Sequence, residues 1–179
     1  MRIAFLTAHE GVEQIELTEP WQALRGAGHE TQLLATRPGT VRAFRHLEAA
    51  DAFPVDEVVA EASPADYGAL VLPGGVANPD ALRMDVRAVA FARAFMEDGR
   101  PVAAICHAPW LLVEADAVRG RTLTSWPSLR TDITNAGGIW VDEPVRVCTA
   151  GAGPLVTSRR PGDLEAFLRA LTGVLDSGR

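Results

Sequence analysis

Val102-Ala103-Ala104-Ile105-Cys106-His107-Ala108-Pro109 is the stretch that decides how this chain folds. Four consecutive small or branched apolar residues suit a strand buried on both faces of a parallel sheet. A helix-compatible stretch over residues 108–115 follows with no loop between them. A strand running straight into a helix makes a sharp turn, which lifts the side chain at its apex above the sheet. Cys106 is at that apex. The N–H groups that open the helix favour a thiolate, lowering the thiol from its free value of about 8.5. The other reading of an isolated cysteine here is a small hydrophobe packed in the core.

Outward from this turn the same alternation repeats. Short apolar runs predict strands over residues 3–6, 31–35, 69–72 and 122–124, with weaker ones at 140–141, 145–147 and 155–157. Helical patterns are predicted over 15–27, ended by Gly28, and over 86–98, closed by Gly99. Others fall at 128–136 and 161–175, the last with Pro161 in its first turn and Asp163 complementing the dipole. Residues 39–59 show weak alternation and no helix, and are expected to form short strands or an irregular excursion at the sheet edge. The pattern is that of βαβ units on a mostly parallel sheet, and one domain is expected over residues 1–179.

Composition narrows the function. The chain has 179 residues, 47% of them hydrophobic, enough for one well-buried core. A formal net charge of −6 and a pI near 5.2 argue against nucleic acid as the main ligand. The two cysteines, Cys106 and Cys148, stand in no Cys-x-x-Cys or Cys/His cluster, so neither a disulfide framework nor a metal site is expected. No signal-peptide pattern opens the sequence, and no run approaches the roughly 18 apolar residues of a membrane helix. A soluble cytoplasmic protein without cofactor is the expectation.

Three unusual groups fall at the carboxyl ends of predicted strands, where ligands bind in open parallel sheets. They are His9-Glu10-Gly11-Val12-Glu13, Pro73-Gly74-Gly75 and Cys106-His107. His107, next to the nucleophile candidate, can reach the same cleft as a general base, or point elsewhere and contribute only its backbone N–H. Gly74 and Gly75 suit an oxyanion hole, because glycine lets the backbone approach a substrate closely. Cys148 reads as a structural thiol, and His29 and His46 as surface residues. His9 either lines the cleft or is a solvated loop residue. Trp110 and Trp126 either wall the cleft or pack in the core, and Arg130 and Asp132 read as a solvated helix face.

Ala104-Ile105-Cys106-His107-Ala108-Pro109, Leu72-Pro73-Gly74-Gly75, Glu13-Gln14-Ile15-Glu16-Leu17, Thr124-Ser125-Trp126-Pro127, Asn135-Ala136-Gly137 and Val156-Thr157-Ser158-Arg159 occur in an order that resembles the ThiJ/PfpI superfamily. The PfpI-type intracellular proteases and stress proteins are the nearest branch. That resemblance implies a flavodoxin-like three-layer sandwich with a nucleophile elbow at Cys106. It also implies an acidic residue of the first loop bonded to the cysteine: Glu13 is the choice, with Glu10 and Glu16 as rivals. Asp80, where relatives carry an acidic residue that reaches across a subunit interface to the Cys-His pair, is expected to serve a partner's site in a dimer or larger assembly. A simple helix cap at Asn78 or Asp80 is the competing reading. Many relatives have glycine where Ala108 stands, which adds one methyl beside the nucleophile.

The implied activity is a cysteine-dependent hydrolase or lyase of stress-protein type, acting on peptides, reactive aldehydes or their adducts. A non-enzymatic redox sensor or chaperone using the same thiol is the alternative. A glutamine amidotransferase is excluded by a residue count, because its triad needs a late histidine and none follows His107.

Overall fold

A computed structural model describes residues 1–177. Its centre is a seven-stranded sheet: β1 (Arg2–Thr7), β3 (Glu30–Ala35), β6 (Glu57–Val58), β7 (Ala69–Leu72), β8 (Val102–Ile105), β11 (Val145–Cys148) and β12 (Leu155–Ser158). The order across it is β11-β12-β8-β7-β1-β3-β6, and every pairing is parallel except β11 with β12.

The continuous apolar runs are explained by burial on both faces. Ile3 to Leu6, Ala69 to Leu72 and Val102 to Ile105 are wholly shielded from solvent. Their side chains alternate between two cores. Ala4, Leu6, Leu70, Leu72 and Ala104 meet Phe91 and Phe95 of α3 (Val86–Glu97) and Leu111 and Leu112 of α4 (Pro109–Glu114). On the other side, Ile3, Phe5, Val71, Ala103 and Ile105 meet Leu17 and Leu24 of α1 (Gln14–Gly26) and Phe167 and Leu171 of α6 (Leu164–Ser177). This is the expected α/β three-layer sandwich. No helix of the described residues is long and apolar enough to cross a membrane.

Two regions differ from the sequence expectations. Residues 39–59 contain an ordered antiparallel hairpin, β4 (Thr40–Arg45) with β5 (Glu48–Pro54), and β6. The hairpin joins β2 (Glu10–Glu13), part of the predicted first loop, in a separate three-stranded sheet. The second difference is the cap of the short helix α2 (Ala77–Arg83), which fills the connection after β7 and has Val76 at its N-cap. Asn78 does not cap it. Its buried side chain accepts from the N–H of Ala8 (2.7 Å) and donates to the carbonyls of Pro73 (2.9 Å) and Gly74 (3.1 Å). It thereby ties together the chain segments that leave β1 and β7.

β1 has β3 on one flank and β7 on the other, so the chain winds outward in two directions from the β1/β7 boundary. Loops diverge at such a switch point and leave a crevice at the carboxyl ends of the strands. The remaining short elements are β9 (Thr122–Leu123), α5 (Arg130–Asn135) and β10 (Ile139–Trp140). The segment after β9 crosses the end of β12, where the N–H of Thr124 donates to the Thr157 hydroxyl (2.9 Å).

Candidate active site

Cys106 leaves β8 with φ at +64°, the left-handed region that costs a non-glycine residue roughly 1–2 kcal/mol. Two main-chain bonds hold it there. Its N–H donates to the carbonyl of Ser158 (3.0 Å), and its carbonyl accepts from the N–H of Trp126 (2.8 Å). The strained turn is therefore over-determined by β12 and by the segment after β9. It brings the sulfur to His107 Nδ1 at the margin of the second core, and Cys106 is only 6% exposed.

The acid beside the sulfur is Glu16, not Glu13. Glu16 lies in the first turn of α1, fully buried, and its Oε2 accepts from the N–H of Gly74 (3.0 Å). Its Oε1 is buried without a hydrogen-bond partner, and the carboxyl lies beside Cys106: a Cβ on Gly74 would touch both. Glu13 ends β2, and its Oε2 turns to the N–H of His46 (2.9 Å). The reason is the unforeseen strand: with β2 running to Glu13, α1 begins one residue later, and Glu16 falls on the helix face that looks into the crevice. Glu10, the other rival, is exposed and lies 3.7 Å from His9. His9 also contacts Arg37 and is partly exposed at the rim.

Burial first, then the nearby charge of Glu13, pushes the Glu16 carboxyl up to about 8, partly offset by the N–H of Gly74. Glu16 is therefore predominantly protonated at neutral pH and able to donate to sulfur. Burial also raises the Cys106 thiol, and an ionised Glu16 would raise it further. That second effect vanishes when Glu16 holds its proton, since two interacting groups titrate as a pair. The N–H groups of Gly75 and His107 oppose the rise by bonding to the sulfur. The sequence expectation of a lowered thiol thus omitted the cost of burial.

Gly74 and Gly75 differ in their roles. The Gly74 N–H is engaged by Glu16, so Gly75 and His107 supply the N–H groups that face the sulfur. A Cβ on Gly74 would sit 2.5 Å from Glu16 Oε2 and 2.6 Å from the Cys106 Cβ. Gly75 has φ at +85°, and a Cβ there would land on the Gly11 carbonyl oxygen. Both glycines are required by close approach at the site.

His107 is brought to the nucleophile, with Nδ1 3.2 Å from Cys106 Sγ. The ring is buried, and burial lowers it to about 4, so it is neutral at pH 7. Trp126 stacks on it (centroids 5.5 Å apart, 22° between planes) and Trp110 packs at 54° (5.3 Å). Trp126 remains 37% exposed and walls the crevice. Asp132, expected on a solvated helix face, accepts from the indole N–H of Trp110 (2.8 Å). Aromatic spacing alone carried no sign of that bond.

Asp80 is not brought to His107 within the chain. It lies exposed in the first turn of α2, whose N-cap is Val76 with no side-chain cap bond. Cys148 is buried at the end of β11, outside this cluster, and His29 is buried rather than at the surface. Among the described residues, no three His, Cys, Asp or Glu side chains gather as metal ligands.

The chain is similar to several known proteins. Deglycase PH1704 of Pyrococcus horikoshii is 39% identical over 175 residues, covering 98% of this chain and 99% of its own. Protein/nucleic acid deglycase 2 of Escherichia coli is 42% identical over 168 residues, 94% of each chain. The crystal structure of a ThiJ/PfpI domain protein from Brachyspira murdochii superposes with a TM-score of 0.88 over 98% of this chain and 96% of its own, at 22% identity, which speaks for the fold. The DJ-1/PfpI family model matches residues 1–173, and the chain belongs to that family.

Proposed function

We propose that this protein is a cysteine-dependent deglycase-type enzyme that acts on small reactive aldehydes or their adducts. The observation that carries the reading is the cluster at Cys106. A strained, clamped cysteine has the His107 Nδ1 at 3.2 Å and the fully buried Glu16 carboxyl beside it. The two deglycases at about 40% identity support the same reading.

In the forward step His107 takes the thiol proton and the thiolate attacks the aldehyde carbon. The carbonyl π electrons move to oxygen, forming a hemithioacetal as Glu16 or His107 delivers a proton. With methylglyoxal, a proton moves from C1 to C2 and the ketone carbon is reduced as C1 is oxidised to a thioester. Water then cleaves the thioester to lactate and the free thiol. The sum is methylglyoxal plus water to lactate, with no external oxidant. In this reading the N–H groups of Gly75 and His107, which face the sulfur, stabilise the developing oxyanion. A small aldehyde suits the confined crevice better than an extended peptide, because the sulfur is mostly shielded.

The complete site is proposed to form in a dimer or larger assembly, with Asp80 of one chain serving the His107 of another. Support comes from α2, where Asp80 is exposed beside the exposed Val76 and Met84. The deciding experiment measures methylglyoxal consumption and lactate release by the parent and by Cys106→Ser. Sustained turnover lost in the variant supports the enzyme. Stoichiometric oxidation of Cys106 without turnover replaces it with the redox-sensor reading. Activity across a dilution series, with sedimentation mass and Asp80→Ala in parallel, tests assembly: a fully active monomer refutes the shared site.

A further inference from the structure

We infer that Trp110 and Asp132 are positioning residues that hold the His107 imidazole against the Cys106 sulfur. The inference rests on the reading of Cys106 as the nucleophile. Imidazole next to a sharp turn has two free side-chain torsions, and only a small part of that range places Nδ1 at 3.2 Å from Sγ. No carboxylate of the described residues tethers the ring, as the third group of a nucleophile–base pair would. Within one chain, aromatic packing holds the ring.

Trp126 covers one face of the imidazole and Trp110 meets it at an angle. Trp110 is fixed in turn from two directions. Asp132 of α5 accepts its indole N–H at 2.8 Å, and the Arg83 guanidinium of α2 lies 5.7 Å from its ring centroid. Arg83 is itself paired with Glu114 at the end of α4 (3.3 Å). Three helices thus converge on one indole, and that indole bears on the imidazole. The titratable groups on the elements around the ring include Cys106, Glu16 beyond the sulfur, Asp80, Arg83 and Glu114 on the α2/α4 side, and Arg130 and Asp132 on α5.

A misplacement of about 1 Å costs an oriented reaction as much as a hundredfold, so loosening one anchor is expected to cost about tenfold. The test is the rate of Cys106 alkylation by iodoacetamide across pH 5–10, which needs no substrate. Trp110→Phe keeps a ring but removes the N–H; Asp132→Ala removes the acceptor; Asp132→Asn retains a carbonyl oxygen for it. Trp110→Phe and Asp132→Ala should each slow alkylation at pH 7 about tenfold and shift its midpoint, because the sulfur then ionises without the His107 contact. The double variant should be no slower than Trp110→Phe, and Asp132→Asn should stay near the parent. A merely structural role would lower the melting temperature and leave the pH profile in place. A reactive parent with unchanged profiles in both variants overturns the inference, as do additive losses or an Asp132→Asn as slow as Asp132→Ala. A parent in which Cys106 resists alkylation overturns the nucleophile reading, and the positioning role falls with it.

Discussion

The two cysteines occupy the same sheet and are almost equally hidden, 6% exposed at Cys106 and 5% at Cys148. Burial therefore does not separate a reactive thiol from an inert one here. Cys106 sits at the carboxyl end of a central parallel strand with a positive φ, an acid, an imidazole and two N–H groups around it. Cys148 sits at the end of β11, an antiparallel edge strand, in ordinary pairing with Leu155. The parallel strands send their carboxyl ends to one crevice, whereas antiparallel β11 ends with Cys148 level with Leu155 and Val102, at the opposite edge of the sheet. Location on the topology supplies the chemistry, and the residue type only makes it possible.

The largest expected effect tests that contrast directly. Limiting iodoacetamide followed by peptide mass mapping should label Cys106 first, and Cys106→Ser should lose the fast phase entirely. Cys148→Ser should keep it within about twofold, since the surroundings of Cys106 are untouched. Preferential labelling of Cys148 would break the comparison.

The next effect concerns the backbone demands of the crevice. Gly75→Ala must accept a left-handed conformation and an overlap with the Gly11 carbonyl, at a cost of about 3–5 kcal/mol. Gly173→Ala, in the exposed run of α6 with open space at the Cβ, should stabilise by about 0.5–1 kcal/mol. Urea unfolding of both variants measures the difference. Equal midpoints would show that the crevice glycines are not held by close approach.

A smaller effect lies in the pH dependence of stability. The folded Glu16 carboxyl is raised to about 8 from 4.5, so the folded state holds its proton more tightly than the unfolded chain. Its contribution is fully present below pH 4.5 and is lost as pH rises towards and through 8. Over that window the parent should lose on the order of 2–4 kcal/mol from this group. Glu16→Gln, which keeps an acceptor for Gly74 and a donor for sulfur, should remove that slope. Parallel stability–pH curves for parent and variant would mean that Glu16 ionises in place without cost. His107 acts in the opposite sense: lowered by burial to about 4, its contribution is present above 6.5 and lost as pH falls towards 4.

The smallest effect belongs to Glu13. Its charge is the second cause of the rise at Glu16, so Glu13→Gln should move the Glu16-linked loss of stability to slightly lower pH. The rate of Cys106 alkylation at pH 7 should change less than about threefold, because the Glu13 side chain is bonded to His46 and not to sulfur. A collapse of reactivity in Glu13→Gln would restore Glu13 as the acid that tunes the thiol.

The sequence by itself determined the α/β class, the parallel core and the elbow at Cys106. Those depend on short-range properties: unbroken apolar runs that tolerate burial on both faces, and a strand that enters a helix without a loop. It also brought forward both glycines, because a Gly-Gly pair directly after a buried strand has few other reasons to exist. Tertiary structure decided which acid meets the sulfur. Glu13 and Glu16 are three residues apart, the sequence favoured Glu13, and the pairing of β2 with the hairpin strand β4 sets where α1 begins and which face it turns inward. Tertiary structure also decided the setting of Asp132, Asn78 and Arg83, whose partners lie 22, 70 and 31 residues away for the bonds that matter. A side chain's local pattern records what its own element needs. The partners that give it a chemical role come from elements that only the folded sheet brings together.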